Sequence, residues 1–351
     1  MLGNALLMSG KEPIIPSVAI SHDNSPFVTA YPWSDDTGFG TKFSNPSTLP
    51  GGAGYGVSIG PSGKSIAVSS DTTPFIAAYP WSGDTGFGTK FSNPSTLPPS
   101  YSTGVDFSPS EGAIAVSHGA SPFVTAYPWS NATGFGTKYS NPSTLPAGAV
   151  TGVDFSPSGG AIAVSHGNSP YVTAYPWSDA TGFGTKYSNP LTSPTGYGQG
   201  LSFSSSGGAI AVAHSSSPYV TAYPWSDATG FGTKYSNPST LPTGLAIGVS
   251  FSSSGGAIAV AHDQSPYVTA YPWSDATGFG TKFSNPLTLP PNLAYSVSFS
   301  ASAGGIVLGL NSSPFIAAYP WSDATGFGTK FSNPSTLPTG RGRSVSFGGS
   351  P

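Results

Sequence analysis

The sequence predicts an all-β fold, a seven-bladed β-propeller with four antiparallel strands in each 48-residue blade. Three observations predict it. Seven tryptophans, Trp33, Trp81, Trp129, Trp177, Trp225, Trp273 and Trp321, stand 48 residues apart without one insertion or deletion, each inside the phrase Ala-Tyr-Pro-Trp-Ser. A period of this length marks a closed or stacked repeat architecture. Each copy holds four short β-prone runs separated by Gly, Pro, Asn and Ser, and no window between these breakers is long enough for a helix. A lone four-stranded sheet buries neither face, so every copy must be covered by its neighbours, and four strands per copy is the propeller pattern.

The copy from Thr151 shows the elements in order. Strand a is expected at 151–156, followed by a Pro-Ser-Gly-Gly turn, and strand b at 161–166. Strand b is apolar from Ala161 to Val164, as a strand covered on both faces should be. After a Gly-Asn-Ser-Pro turn, strand c begins at Tyr171. Tyr175 and Trp177 project from one face of it, and seven such pairs would fill the seams between blades. Pro176 lies between them and lacks an N–H, so strand c is expected to end or bulge there. The loop Asp179 to Gly184 leads to strand d at 185–190, which carries one lysine per blade (Lys42, Lys90, Lys138, Lys186, Lys234, Lys282 and Lys330) as protection for an exposed edge.

The register closes the ring. The first copy opens at Pro16 with a b-like strand, Val18 to Ser21, and has no strand a, while the chain ends on an a-like strand, Ser344 to Phe347. One blade is therefore shared between the N- and C-terminal strands. Residues 16–351 hold seven whole copies and form a single domain. Residues 1–15 are an extension whose apolar pieces, Ala5 to Met8 and Pro13 to Ile15, are expected to pack on the ring.

Composition removes several functions. Charged residues make up 7% of the chain and the net charge is -3 with no basic run, which leaves no footprint for nucleic acid or for an anionic membrane surface. The first ten residues lack a positive n-region, so no signal peptide is expected, and no segment suits membrane insertion. The chain has no cysteine, hence no disulfide, zinc-thiolate site or cysteine nucleophile. No cofactor is expected.

Over nearly its whole length the unit resembles the WD40 class of propeller. Gly152 to Ser165 is similar to the strand a, turn, strand b core of that family, and Trp177 falls where the family's Trp-Asp does. Here Ser follows each Trp and the Gly-His pair before strand a is absent, so the family's His to Asp network is not expected. The phrase from Ala174 to Pro190 resembles the near-identical WD40-like repeats of bacteriophage and metagenomic proteins. That resemblance implies a virion-associated protein, made in the bacterial host cytoplasm, whose partner is another virion protein or a host surface receptor or glycan.

The copies disagree in two places. The segment from d into a is rewritten in every blade, at 51–56, 99–104, 147–152, 195–200, 243–248, 291–296 and 339–344, and the turn from b to c varies as well. In an up-and-down blade both connections emerge on one face. The d-to-a segments carry Tyr55, Tyr101, Tyr197, Leu245, Ile247, Tyr295, Arg341 and Arg343 around the central channel, and Tyr and Arg are side chains that interfaces favour. These eight residues form the expected binding face of a non-enzymatic structural and interaction protein. The alternative is a carbohydrate-binding, lectin-like propeller using the same aromatics.

No constellation of catalytic residues stands out. His22, His118, His166, His214 and His262 occupy one repeat position at the end of strand b, too far apart to share a metal, and a capping or turn role is expected for them. Asp106 and Asp154 replace Ser on strand a of adjacent blades and line the channel as a carboxylate pair. Their separation by a blade argues against acid/base work. Gly-Phe-Gly-Thr-Lys lacks the adjacency and the helix of a phosphate loop.

Overall fold

The computed structural model describes residues 15–348, and the fold is the expected ring of seven four-stranded antiparallel sheets. We number the blades by their tryptophans, from blade 1 (Trp33) to blade 7 (Trp321). In blade 4 the strands are Val150–Phe155, Ala161–His166, Val172–Ser178 and Gly182–Phe183, in spatial order a-b-c-d. Blade 1 takes its strand a, Gly342–Gly348, from the far end of the chain and pairs it with Ser17–His22. The apolar pieces between residues 5 and 14 lie outside the described residues.

Strand b is buried along its whole length in every blade because blades cover it on both sides. The tryptophans sit in the seams. Trp177 is 6% exposed and packs edge-on against Phe155 and Phe183 of its own blade and Tyr139 of blade 3. Tyr175 is fully buried, and its hydroxyl donates to the Thr144 carbonyl at 2.8 Å across the seam, so the one polar atom of that side chain is satisfied.

Three local expectations are corrected. Strand d is the pair Gly182–Phe183, inside the segment read as a loop, and 185–190 forms no strand. Gly182 takes φ +81° and allows the tight reversal that sets Phe183 opposite Trp177. Strand c does not end at Pro176. The ring nitrogen faces the outer side, where strand d begins only beyond it, and the Pro176 carbonyl on that side accepts from Gly184 N at 2.8 Å. The lysines lie past strand d, where they tie down the following segment: Lys282 Nζ donates to Asn285 Oδ1 at 2.6 Å and to the Phe283 carbonyl at 3.1 Å. Extreme shortness protects the outer edge.

Adjacent blades are stapled by a carboxylate. Asp179 accepts from the Trp177 indole at 2.6 Å and from Ser108 and Ser110 of blade 3, and the pattern recurs at Asp227, Asp275 and Asp323, and at Asp35 with Trp33 and Ser302. The seam between blades 2 and 3 uses the same charge from another position. Asn131 stands where the aspartates stand, and Glu111 replaces the turn glycine of other blades and accepts from Asn131 and Ser62. Asn131→Asp should therefore set two carboxylates against each other and destabilise the protein by about 1–3 kcal/mol. Adding Glu111→Gly should recover most of the loss, and denaturant unfolding of the double-mutant cycle measures the coupling. Additive losses would show that the two residues act apart. At the seam between blades 1 and 2 the position is Gly83, against which the Ile15 carbonyl lies, and Trp81 donates instead to Ser17 Oγ at 3.2 Å.

Candidate active site

The segments from d into a and the turns from b to c meet on one face, where Asn168 Nδ2 donates to the Ala147 carbonyl at 2.9 Å and Asn24 Nδ2 to the Thr339 carbonyl at 2.8 Å. At the centre of this face opens a channel with a cavity of about 640 Å³, lined by the seven copies of strand a. Glycine lets these strands converge: a β-carbon on Gly56 would lie 2.8 Å from the Gly104 Cα of the next blade.

The eight residues expected on the binding face occupy only two repeat positions. Tyr55, Ile247, Tyr295 and Arg343 belong to an inner ring at the channel mouth, completed by Thr103, Thr151 and Gln199. Tyr101, Tyr197, Leu245 and Arg341 stand two residues earlier, in an outer ring away from the channel wall. The structure therefore brings four of the eight together in the cavity. Arg343 is clamped there, its guanidinium 5.1 Å from the Tyr55 ring centre and 4.9 Å from that of Tyr295. Its Nε donates to Asp23 Oδ1 at 2.8 Å, and Arg341 pairs with the other oxygen. Burial would raise the Asp23 carboxyl, but the hydrogen bonds from Arg343 and Arg341 outweigh it and hold the group below the usual carboxylate range. Two cations on one anion give this cluster a single net positive charge.

Three residues deeper along strand a is a second polar ring. It is serine in five blades (Ser58, Ser202, Ser250, Ser298 and Ser346) and aspartate in the other two, Asp106 and Asp154. Each aspartate accepts a backbone N–H from the next blade, Asp106 Oδ2 from Phe155 at 3.1 Å and Asp154 Oδ2 from Phe203 at 2.7 Å. Ser58 Oγ donates to Asp106 Oδ1 at 3.2 Å. The two carboxyls also lie close enough to share a proton between them. Blade separation does not keep them apart, contrary to the expectation from the repeat, because neighbouring strands a approach closely where they line the channel.

Burial is the main cause of an unusual protonation state. It pushes the Asp106 carboxyl up to about 6, against the pull of the Phe155 N–H, Ser58 and Asp154. Burial and then the Asp106 charge push Asp154 well above the carboxylate range. Both shifts favour a pair that shares one proton and one negative charge near neutral pH. That is an acid and a base side by side on a channel wall.

The five histidines do more than cap a turn. His22 Nε2 lies 2.9 Å from Thr29 Oγ1 and its Nδ1 2.8 Å from the Asn24 carbonyl, which joins strands b and c to the turn between them. The Nε2 to threonine contact repeats at 2.9 Å in the other four copies. Burial lowers every one of these imidazoles to about 4, so they are neutral. The pairing was legible: blades 2 and 7, with Ser70 and Leu310 at the histidine position, also replace the threonine, by Ala77 and Ala317.

No protein-family model matches the sequence, and no curated protein does. Solved structures match the fold. A protein of Bacteroides uniformis, provisionally called a 6-phosphogluconolactonase, is 13% identical with a TM-score of 0.75, over 95% of this chain and 99% of its own. A provisionally named 6-phosphogluconolactonase of Bacteroides fragilis is 12% identical with a TM-score of 0.74, over 96% and 99%. The periplasmic gluconolactonase PpgL of Pseudomonas aeruginosa is 13% identical with a TM-score of 0.72, over 96% and 100%. At this identity the likeness shows the fold alone. The resemblance to WD40 and phage repeats thus goes no further than seven four-stranded blades. The comparisons also overturn the expected non-enzymatic, virion-associated interaction protein and its lectin-like alternative, since these propellers bear the names of lactonases and nothing in the comparisons supports a phage particle.

Proposed function

We propose that this chain is a hydrolase of small lactones that works in the central channel, with Asp106 and Asp154 as its acid/base pair. The observation that carries this reading is a pair of half-buried carboxyls from adjacent blades, close enough to interact, on the wall of a polar cavity in a repeat that otherwise places serine there. The names of the similar propellers supply the reaction class. Ester hydrolysis needs a base for water and a proton for the leaving oxygen, and Asp106 supplies both in turn while Asp154 holds it poised. Asp106 accepts a proton as the water oxygen bonds to the lactone carbonyl carbon. The ring C–O bond then breaks and its oxygen takes up that proton, which yields the open hydroxy acid and returns Asp106 to its charged form. Asp154 keeps the shared proton, steadies the Asp106 charge and orients it.

Glucono-1,5-lactone in a pH-stat, with spontaneous hydrolysis subtracted, tests the reading. The wild-type protein should accelerate acid release, and the double variant Asp106→Asn/Asp154→Asn should lose about 10²–10⁴-fold of the enzymatic rate while keeping its melting temperature to within a few degrees. Equal rates in the two proteins would overturn the assignment.

A further inference from the structure

One charge at the channel mouth is left over. Asp23 is neutralised by a single cation and has two, Arg341 outside the cavity wall and Arg343 on it. The other six blades place Tyr, Thr, Gln or Ile at the position of Arg343, which is the only cation among the residues lining the cavity. Its guanidinium is held in place. The rings of Tyr55 and Tyr295, from the blades on either side, flank it, and Asp23 takes Nε. Among the described residues nothing accepts a hydrogen bond from either Nη. A planar guanidinium fixed by its faces and its Nε presents the remaining edge, two parallel N–H groups that match the two oxygens of one carboxylate.

This donor faces the acid/base pair. Arg343 belongs to blade 1, Asp106 to blade 3 and Asp154 to blade 4, so in a ring of seven the arginine lies almost across the channel from Asp154. It stands one ring nearer the mouth, three residues before Ser346, which shares the level of the two aspartates. Over the aspartates themselves the inner ring is small. Thr103 and Thr151 stand there, and their hydroxyls are spent on the Val150 and Gly198 carbonyls at 2.6 Å. All three charged side chains line one cavity of about 640 Å³, roughly 11 Å across if taken as a sphere and within the range of small-ligand sites. The charge is matched to a monoanion. One negative group neutralises the Arg343 cluster, whereas a dianion would leave an uncompensated charge in a cavity that already holds the anionic aspartate pair. We infer that the preferred substrate is a lactone with a carboxylate at the end remote from its ring carbonyl, and that Arg343 is the residue that selects it. This rests on the lactonase reading above.

Glucono-1,4-lactone and glucaro-1,4-lactone differ only at C6, a hydroxymethyl group in one and a carboxylate in the other, and their hydrolysis by the wild-type protein and by Arg343→Gln tests the inference. The wild type should favour the glucaro-lactone by about 10–100-fold in kcat/KM, and the variant should lose that preference, mostly through KM. Asp23→Asn keeps both arginines and adds one unit of positive charge, so it should raise the gain of 6-phosphoglucono-1,5-lactone over glucono-1,5-lactone. Equal kcat/KM on the two 1,4-lactones in the wild type, or a preference that survives Arg343→Gln, would overturn the inference and leave the lactonase reading intact. A larger wild-type gain from the phosphate than from the carboxylate, or a phosphate gain that Asp23→Asn does not raise, would overturn the monoanion. If the wild type hydrolyses none of these lactones, the lactonase reading falls, and titration calorimetry with glucuronate decides the Arg343 site alone. Binding that Arg343→Gln loses supports the site; no binding, or binding that the variant keeps, overturns it.

Discussion

Stability should fall in mild acid, by about 3–4 kcal/mol per pH unit around pH 5 and about half that by pH 4. The sign follows from two opposing sets of groups. The five buried histidines have folded values of about 4 against 6.5 when free, so below pH 6.5 the unfolded chain takes up protons that the folded chain refuses. Their stabilisation is whole above pH 6.5 and is lost as pH falls towards 4. Asp106 and Asp154 oppose this, because the folded state holds protons there that the unfolded chain releases above about pH 4. The histidines outnumber them, leaving a net uptake of about three protons on unfolding, each worth about 1.4 kcal/mol per pH unit. Urea midpoints measured from pH 7.5 to 4 check the slope. Replacing the His/Thr pairs of three blades by the Leu/Ala of blade 7, as His118→Leu/Thr125→Ala and its counterparts, should remove most of it. A midpoint that does not move with pH would contradict the neutral-histidine assignment.

The second large effect is an asymmetry within the carboxylate pair. Asp106→Asn removes the base and should cost about 10²–10⁴-fold in kcat. Asp154→Asn retains a donor towards Asp106, resembles the protonated form of the residue, and should cost about 10-fold or less. The same substitution removes a carboxyl that folding holds protonated. A group with a raised folded value contributes stability that is present below its unfolded value near 4 and lost as pH rises through the folded one. Asp154→Asn should therefore be more stable than the wild type at pH 8 and lose that advantage near pH 4. Rate profiles of both single variants, with melting temperatures at the two pH values, test the assignment. Equal rate losses would mean that the proton is not held by Asp154.

The ring, its closure and the burial of the tryptophans followed from the repeat because they depend on what all seven copies share. Strand d escaped because two residues, Gly182 and Phe183, form it. Pairing that short leaves no alternating pattern to read, while Thr185 to Pro190 looked more like a strand and forms none. Pro176 misled in the same way, since a missing N–H matters only on a side that has an acceptor. The candidate site was half visible. Reading the repeat in columns isolates Asp106 and Asp154 as exceptions among serines, but sequence spacing says nothing of how near two inner strands lie at the axis. Glu111 with Asn131, and each His with its Thr, were open to the same column reading, since each departs from the repeat together with its partner.

The closing blade bears on the order in which the molecule is made. Strand b of blade 1, Ser17–His22, is completely buried in the finished ring, and its inner partner is Gly342–Gly348. On the ribosome this early apolar strand has one unpaired edge until almost the whole chain has emerged, and other nascent copies offer strands of nearly the same sequence to fill it. Six blades can assemble as they are synthesised, but the first must wait for the last, so the interval before closure is when a chain of such uniform blades is most exposed to pairing with its neighbours.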